Sequence, residues 1–579
     1  MRLALIFLFF CISCTNSNKK PTYNFETHFE KSKGLETATY QQTIQFYTHL
    51  AEIYSGISIQ TIGETDSGKP LHIVTLNPNR EFDFSKVRKN KKSILLINNG
   101  IHPGESDGID ATMMLFRDIA QGKIETPKET VLVTIPIYNV GGSFNRNSTS
   151  RTNQNGPKDY GFRGNARNYD LNRDFIKCDT KNAKTFTQIF HLVKPDVFID
   201  NHVSNGADYQ YTLTHLFTQH NKLGGDLGKY LHNDMTPKLE EKLALKNWDI
   251  TPYVNVFNEV PDKGFSQFMD YPRYSTGYTA LFNTLGMMVE THMLKPYKQR
   301  VEATYELMKS MIEIIEEDHM TIQQKRMHSK ESLHNYTKDY VLSWEIDTTK
   351  TTVLNFKGFE GELITSEITG TKRLKYDRKK PFTKKVNYRN HFKPNVEIKV
   401  PNAYIIPQSW HNIIELLKLN RVEMTSLKKD SIIKVESYKI SSYDTRKTPY
   451  EGHYQHYNTK IINTEEEVNF IKGDYIIYTH QDAFRYLLET LEPHAPDSFF
   501  NWNFFDTVLQ QKEGFSPYVW EDKALELLNN NPKLKKAFEH RKKNSTTFNN
   551  NWYEQLDWIH KQSEYYEDAH MQYPIYRVK

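Results

Sequence analysis

Four short runs of this chain are apolar at nearly every position rather than at every second one: Ser93–Ile97 (SILLI), Val131–Ile137 (VLVTIPI), Val197–Ile199 and Met287–Val289. A strand with one wet face alternates apolar and polar residues, whereas a strand without alternation is covered on both faces. Amphipathic stretches separate these runs. Ile109, Met113, Phe116 and Ala120 recur at helical spacing, with Asp107 placed to cap the helix. From about residue 40 to 325 this succession predicts an α/β fold, a mixed central sheet flanked by helices, with a helix over Leu307–Glu317 closing the region.

At 579 residues the chain is too long for one core. Past residue 330, β-like runs punctuated by Gly and Pro appear, among them Val353–Phe356 and Ile432–Val435. They predict a β-rich accessory domain over 330–445. A mixed, largely helical C-terminal segment is expected over 446–579, from Ala524–Leu528 and from Lys533–His540 after Pro532. The catalytic region would then be 41–325, preceded by a polar tether at 21–40.

The first 20 residues carry a different signal. Arg2 precedes the apolar run Leu3–Ile12, long enough for a signal h-region and too short to span a bilayer. The run ends at Cys11-Ile12-Ser13-Cys14, which resembles a bacterial lipoprotein signal with Cys14 as the lipidated residue. The expected location is therefore outside the cytoplasm, on the cell envelope through a lipid anchor or, with an ordinary cleaved leader, secreted. Cys178 is then the sole interior cysteine, so no intramolecular disulfide is expected. A net charge of +5, not gathered into one basic run, argues against nucleic acid as the main partner.

The chemistry concentrates at the ends of the apolar runs. After the first comes Asn98-Asn99-Gly100-Ile101-His102-Pro103-Gly104-Glu105, where a tight turn leads from strand to helix. His102 and Glu105, three apart across that turn, can face one point beyond the strand's carboxyl end, where open α/β sheets bind ligands. Zn²⁺ accepts imidazole nitrogen and carboxylate oxygen, and a catalytic site takes three protein ligands plus water. The third ligand is expected from another strand end, and His202 stands there, after Val197-Phe198-Ile199-Asp200-Asn201. Between them lies Arg163-Gly-Asn-Ala-Arg-Asn-Tyr-Asp-Leu-Asn172-Arg173-Asp-Phe, an Arg/Asn-rich loop suited to gripping a carboxylate. Glu290 ends the last apolar run, where a carboxylate can serve as general base to a water.

Taken in order, His102-x-x-Glu105, Asp-Leu-Asn172-Arg173-Asp-Phe, His202 and Glu290 resemble the zinc metallocarboxypeptidases, the carboxypeptidase A/B and D-like group known as funnelins. The likeness covers roughly residues 40–325. It implies one Zn²⁺ on His102, Glu105 and His202. It implies further that Asn172 and Arg173 hold the free C-terminal carboxylate of a peptide substrate, with Glu290 as general base. Arg163 takes the oxyanion-stabilising role, with Arg151 its rival; Tyr274 and Tyr278 are the candidates for a substrate-capping tyrosine. One departure is Asp174, where the family commonly has Asn. Zinc amidohydrolases of the aspartoacylase and desuccinylase type share many of these motifs and form the alternative. A catalytically silent binding protein on the same scaffold is a second. His453 and His456 are read as part of a polar surface loop and Cys178 as a packed thiol.

Overall fold

The computed structural model describes residues 23–579; the expected leader, Cys14 included, lies outside the described residues. The central sheet is built from β1 (Ile57–Glu64), β2 (Pro70–Leu76), β3 (Ser93–Asn98), β4 (Thr130–Ile135), β5 (Val197–Ser204), β6 (Leu213–Phe217), β7 (Ile250–Pro252) and, after the two-residue strand β8 (Phe265–Ser266), β9 (Leu285–His292). Its strand order is β1-β2-β4-β3-β5-β9-β6-β7. The four central strands β4, β3, β5 and β9 are parallel, while β2 joins β4 and β6 joins β9 antiparallel, so the sheet is mixed.

Every residue of β3, β4 and β5 is buried, as the unbroken apolar runs require. Successive side chains divide between two cores. Leu95, Ile97, Leu132 and Ile199 pack under the helices Asp107–Ala120 and Tyr297–His334, whereas Ile94, Leu96, Val133 and Phe198 pack under the helix Lys181–Val193. The closing helix runs well beyond the expected Leu307–Glu317, from residue 297 to 334. Asp107 does not cap the helix it was expected to cap. Ser106 holds that position, and the Asp107 carboxylate turns instead to Arg300 (Nε to Oδ2, 3.0 Å) and the Thr291 hydroxyl.

The remaining segments do not separate as the sequence suggests. The expected tether is packed from residue 23 onward, because Phe25, Phe29 and Ala38 find apolar cover on the domain. Strands β10 (Tyr340–Ile346), β11 (Thr352–Thr365), β12 (Lys372–Arg389) and β13 (Phe392–Ile398) supply the β-rich part, but β12 pairs in parallel with β8 of the catalytic region. A six-stranded antiparallel sheet follows, made of β14 (Ala403–Ile406), β15 (Thr425–Ser426), β16 (Ser431–Thr445), β17 (His456–Phe470), β18 (Tyr475–Tyr478) and β19 (Tyr576–Val578). The expected boundary at 445/446 therefore falls inside the β16–β17 hairpin. Helices His411–Leu419 and Phe484–Leu491 press this sheet onto the catalytic core, so Leu417, Phe484 and Tyr486 share one cluster with Phe186, Phe190 and Tyr278. The expected helices near the C-terminus form as Pro517–Asn530 and Pro532–Asn544.

Arg300 ties several of these parts together. It is fully buried, pairs with Asp107, and donates to the carbonyls of Asn155 (2.8 Å), Gly156 (2.9 Å) and Lys295 (2.6 Å). Removing one partner from a buried pair leaves the other charge uncompensated. Arg300→Met is expected to destabilise the protein by about 3–5 kcal/mol, read from denaturant unfolding beside the wild type. A change within ~0.5 kcal/mol, the usual size for surface substitutions, would show that the pair contributes nothing net.

Candidate metal centre and active site

The turn after β3 puts Gly100 at φ +63°, a conformation that costs a side-chain-bearing residue and suits glycine. The chain thereby reverses, and His102 and Glu105 both face the carboxyl end of the sheet. Gly104 is required for a second reason: a Cβ there would stand 2.3 Å from Arg151 Nε. His202 comes from β5, and the parallel register of β5 with β9 sets Glu290 directly beside it.

His102, Glu105 and His202 are all buried, and each offers a ligand atom within 4.8 Å of the others. The Nδ1 atoms face Glu105 Oε2 at 3.2 Å from His102 and 3.0 Å from His202. The outer nitrogens are backed by carboxylates: His102 Nε2 donates to Asp170 Oδ1 (2.9 Å), and His202 Nε2 lies 3.0 Å from Asp200 Oδ2. A carboxylate can only accept, so His102 Nε2 carries a proton. The Nδ1–Glu105 contacts can then be satisfied by further protons, or by one cation taking both imidazole lone pairs and the carboxylate oxygen. The donor set therefore fits Zn²⁺, with the outer carboxylates in the place where zinc-binding histidines find their orienting partners.

The electrostatics run the same way. Burial works against the Glu105 carboxylate, but His102 and Arg151 outweigh it and hold that group well below its usual range. Burial pushes Glu290 up to about 8, helped by Glu105 and opposed by His202 and Arg163. Glu290 Oε2 has no hydrogen-bond partner, although it is buried. Neither Lys295 nor Arg300 engages it: Lys295 donates to the Tyr209 carbonyl and Arg300 is spent on Asp107.

His102, Glu105, His202 and Glu290 line one cavity of about 630 Å³, together with Arg151, Arg163, Asn172, Arg173 and Tyr274. Asp170, to which the sequence motifs gave no role, organises that wall. It accepts from His102, from the Asn172 backbone (2.9 Å) and from Arg163 Nε and Nη2 (3.0 and 2.8 Å). Burial opposes its ionisation, yet the His102, Arg163 and Arg173 charges hold it well below the usual carboxylate range. Arg163 Nη1 then reaches within 3.6 Å of Glu105, while Arg151 contacts that carboxylate directly at 2.6 Å. Arg173 stacks over the Tyr274 ring at 4.6 Å, and Asn172 is fixed by the Ser275 amide (3.1 Å).

Tyr278 is a correction. It is fully buried away from the cavity, its hydroxyl donating to Asn420 Oδ1 (2.7 Å). Tyr274 precedes the helix Ser275–Ala280 in an extended conformation, so the spacing of four does not set both rings on one face. Tyr253 and Phe268 do line the cavity, and no motif in the sequence marks them. Asp170 was legible in principle, two residues before Asn172 in the Asp-Leu-Asn-Arg run. Asp174 leaves the site altogether, taking Lys177 Nζ (2.8 Å) and the Thr180 amide (3.0 Å) in a buried cluster. Cys178 is buried and its thiol is pushed up to about 12 by burial, as expected of a packed rather than reactive residue. His453 and His456 are not in an exposed loop. They pair with Asp179 (2.8 Å) and Asp506 (3.0 Å).

Comparison with known proteins agrees with this geometry: residues 43–195 match the zinc carboxypeptidase family model. That span holds His102, Glu105, Asn172 and Arg173. Over a longer stretch the chain is similar to Carboxypeptidase 2 of Trichophyton rubrum, 21% identical over 499 residues that cover 81% of this chain and 84% of the relative. Carboxypeptidase 2 of Trichophyton equinum is 22% identical, covering 72% of this chain and 77% of its own. Among solved structures, a metallo-carboxypeptidase from Burkholderia cenocepacia aligns at 15% identity over 49% of this chain and 70% of its own, with a TM-score of 0.36.

If Asp170 orients His102, its loss weakens the metal site without removing a ligand. Asp170→Asn is expected to lower Zn²⁺ affinity about 10–100-fold, measured by competition with a chelating dye. Undiminished affinity would exclude an orienting role.

Proposed function

We propose that this protein hydrolyses the last peptide bond of substrates bearing a free C-terminal carboxylate, with His102, Glu105 and His202 holding a single Zn²⁺. The observation that carries the reading is one cavity holding four things: a three-ligand cluster, an unpartnered carboxylate beside it, an Arg–Asn pair, and the Arg163 guanidinium against the cluster.

Zn²⁺ bound there supplies Lewis acidity, polarising the scissile carbonyl and lowering the pKa of water towards about 7. The other steps belong to the chain. Arg173 and Asn172 grip the terminal carboxylate and set the register so that only the last bond reaches the centre. The Arg173 guanidinium is presented flat by its stacking on Tyr274. Glu290 Oε2 takes the proton of the attacking water and returns it to the leaving amine. Burial, and then Glu105, raises its pKa, and a divalent cation held by Glu105 would oppose that shift. Arg163, held by Asp170, aims a donor at the charge that develops on the carbonyl oxygen.

Glu290→Gln is expected to keep Zn²⁺ and to lose about 10²–10⁴ in kcat, assayed on a free-acid peptide beside its C-terminally amidated twin. Unchanged turnover in the variant would remove Glu290 from proton transfer. Equal cleavage of the two peptides by the wild type would favour the amidohydrolase alternative, because the Arg173–Asn172 grip would then be idle.

The Leu3–Ile12 run and Cys14 support an exported protein held at the membrane by lipid. Among the described residues no helix is long and apolar enough to cross a membrane. Metabolic labelling with a radioactive fatty acid is expected to mark the protein and to fail for Cys14→Ser. Equal labelling of both would place any lipid elsewhere.

A further inference from the structure

A second group of imidazoles stands apart from the active-site cavity. His220 opens the short helix His220–Leu223, His232 lies in the helical turn Leu231–Met235, and His391 sits in the turn between β12 and β13. The three residues are half-buried, and each offers a nitrogen within 4.8 Å of the other two. The rings of His220 and His232 lie nearly parallel at 4.1 Å, with the His391 ring roughly perpendicular to both at 5.1 and 5.5 Å.

We propose that His220, His232 and His391 form a second metal site, selective for a divalent transition ion such as Zn²⁺, that pins the β12–β13 turn to the helical segment 220–235.

Two features separate this cluster from a chance meeting of histidines. The first is that its nitrogens are unspent. Among the described residues no side chain hydrogen-bonds to His232 or His391, and His220 has only a 3.5 Å contact from the neighbouring Gln219 amide. The second is that the backbones carrying His220 and His391 are already locked together on both flanks. Gln219 Nε2 donates to the Asn390 carbonyl (2.9 Å), the Phe392 amide donates to Asn221 Oδ1 (2.8 Å), and Thr352 Oγ1 donates to Asn390 Oδ1 (3.0 Å). The bonds bracket His220 on one side and His391 on the other. The three nitrogens, within 4.8 Å of one another, would close on an ion at about 2.0–2.1 Å by rotation of the side chains.

The ligand chemistry sets the kind of ion. A site of neutral imidazoles without a carboxylate suits Zn²⁺, Cu²⁺ or Ni²⁺ and not Mg²⁺ or Ca²⁺, which require oxygen. Three protein ligands leave one position for water.

The test is a zinc count on the purified full-length protein after equilibration with Zn²⁺ and removal of excess ion. Wild type is expected to hold two ions per chain, His202→Ala one, His232→Ala one, and the double variant none. His232→Ala should retain the wild-type kcat/KM on a free-acid peptide, which also checks that it folds. Should His232→Ala misfold, His391→Gln replaces it, and Co²⁺ substitution gives an independent spectroscopic count of the same site. One ion in the wild type and none in His202→Ala would overturn the proposal, as would two ions persisting in the His232 or His391 variants. One ion in the wild type and none in His232→Ala would support this site while counting against the zinc centre of the proposed function.

Discussion

The Glu105 carboxylate is buried between two imidazoles and two guanidiniums, and much of the molecule is arranged to keep it there. An ionised carboxylate out of water is tolerated only with compensating charge in good geometry. Here the compensation comes from separate stretches of chain: His102 on the same turn, His202 from β5, and Arg151 and Arg163 from the long loop before Asp170. Each of these is in turn held by another group. Asp170 and Asp200 back the imidazoles, Gln154 steadies Arg151, and the Gly104 position leaves the space into which Arg151 fits. The parallel strands supply the rigid base, because β3, β5 and β9 end side by side and deliver His102, His202 and Glu290 to one place.

The segments beyond residue 330 belong to this arrangement rather than hanging from it. At the tip of the β16–β17 hairpin, Glu451 Oε2 accepts from the backbone amide of Asp170 (2.8 Å), and His453 pairs with Asp179 at the far end of the same loop. Arg273, one residue before the cavity's Tyr274, pairs with Asp497 (2.8 Å) and lies over Trp502. The loop that presents Asn172 and Arg173 is thus clamped from outside by the C-terminal unit. Through those contacts residues 446–579 add outside support to a polar, largely irregular loop that is also tied to Asp66 and His102.

Sequence patterns were decisive where a residue's surroundings are set by its neighbours in the chain. The apolar runs without alternation became buried parallel strands, and His102 with Glu105 on a strand-turn-helix junction came together as the spacing implied. They misled where distant packing decides. Tyr278 looked equivalent to Tyr274 but is drawn into a cluster with Phe175, Phe186 and Phe190. The polar composition of residues 21–40 suggested a tether, yet Phe25 and Phe29 suffice to dock it. The three histidines at 220, 232 and 391 are too far apart in the chain for any spacing rule to join them.

The chain by itself determined the fold class and marked His102, Glu105 and His202 as the groups that meet at the strand ends. Both rest on local patterns: which residues are apolar in succession, and which coordinating groups sit at the ends of those runs. Tertiary structure alone decided which carboxylates support the ligands, which aromatic rings line the cavity, and where the accessory units attach. Those choices depend on side chains from remote segments meeting at hydrogen-bond or van der Waals distance, and such meetings leave no periodicity in the sequence.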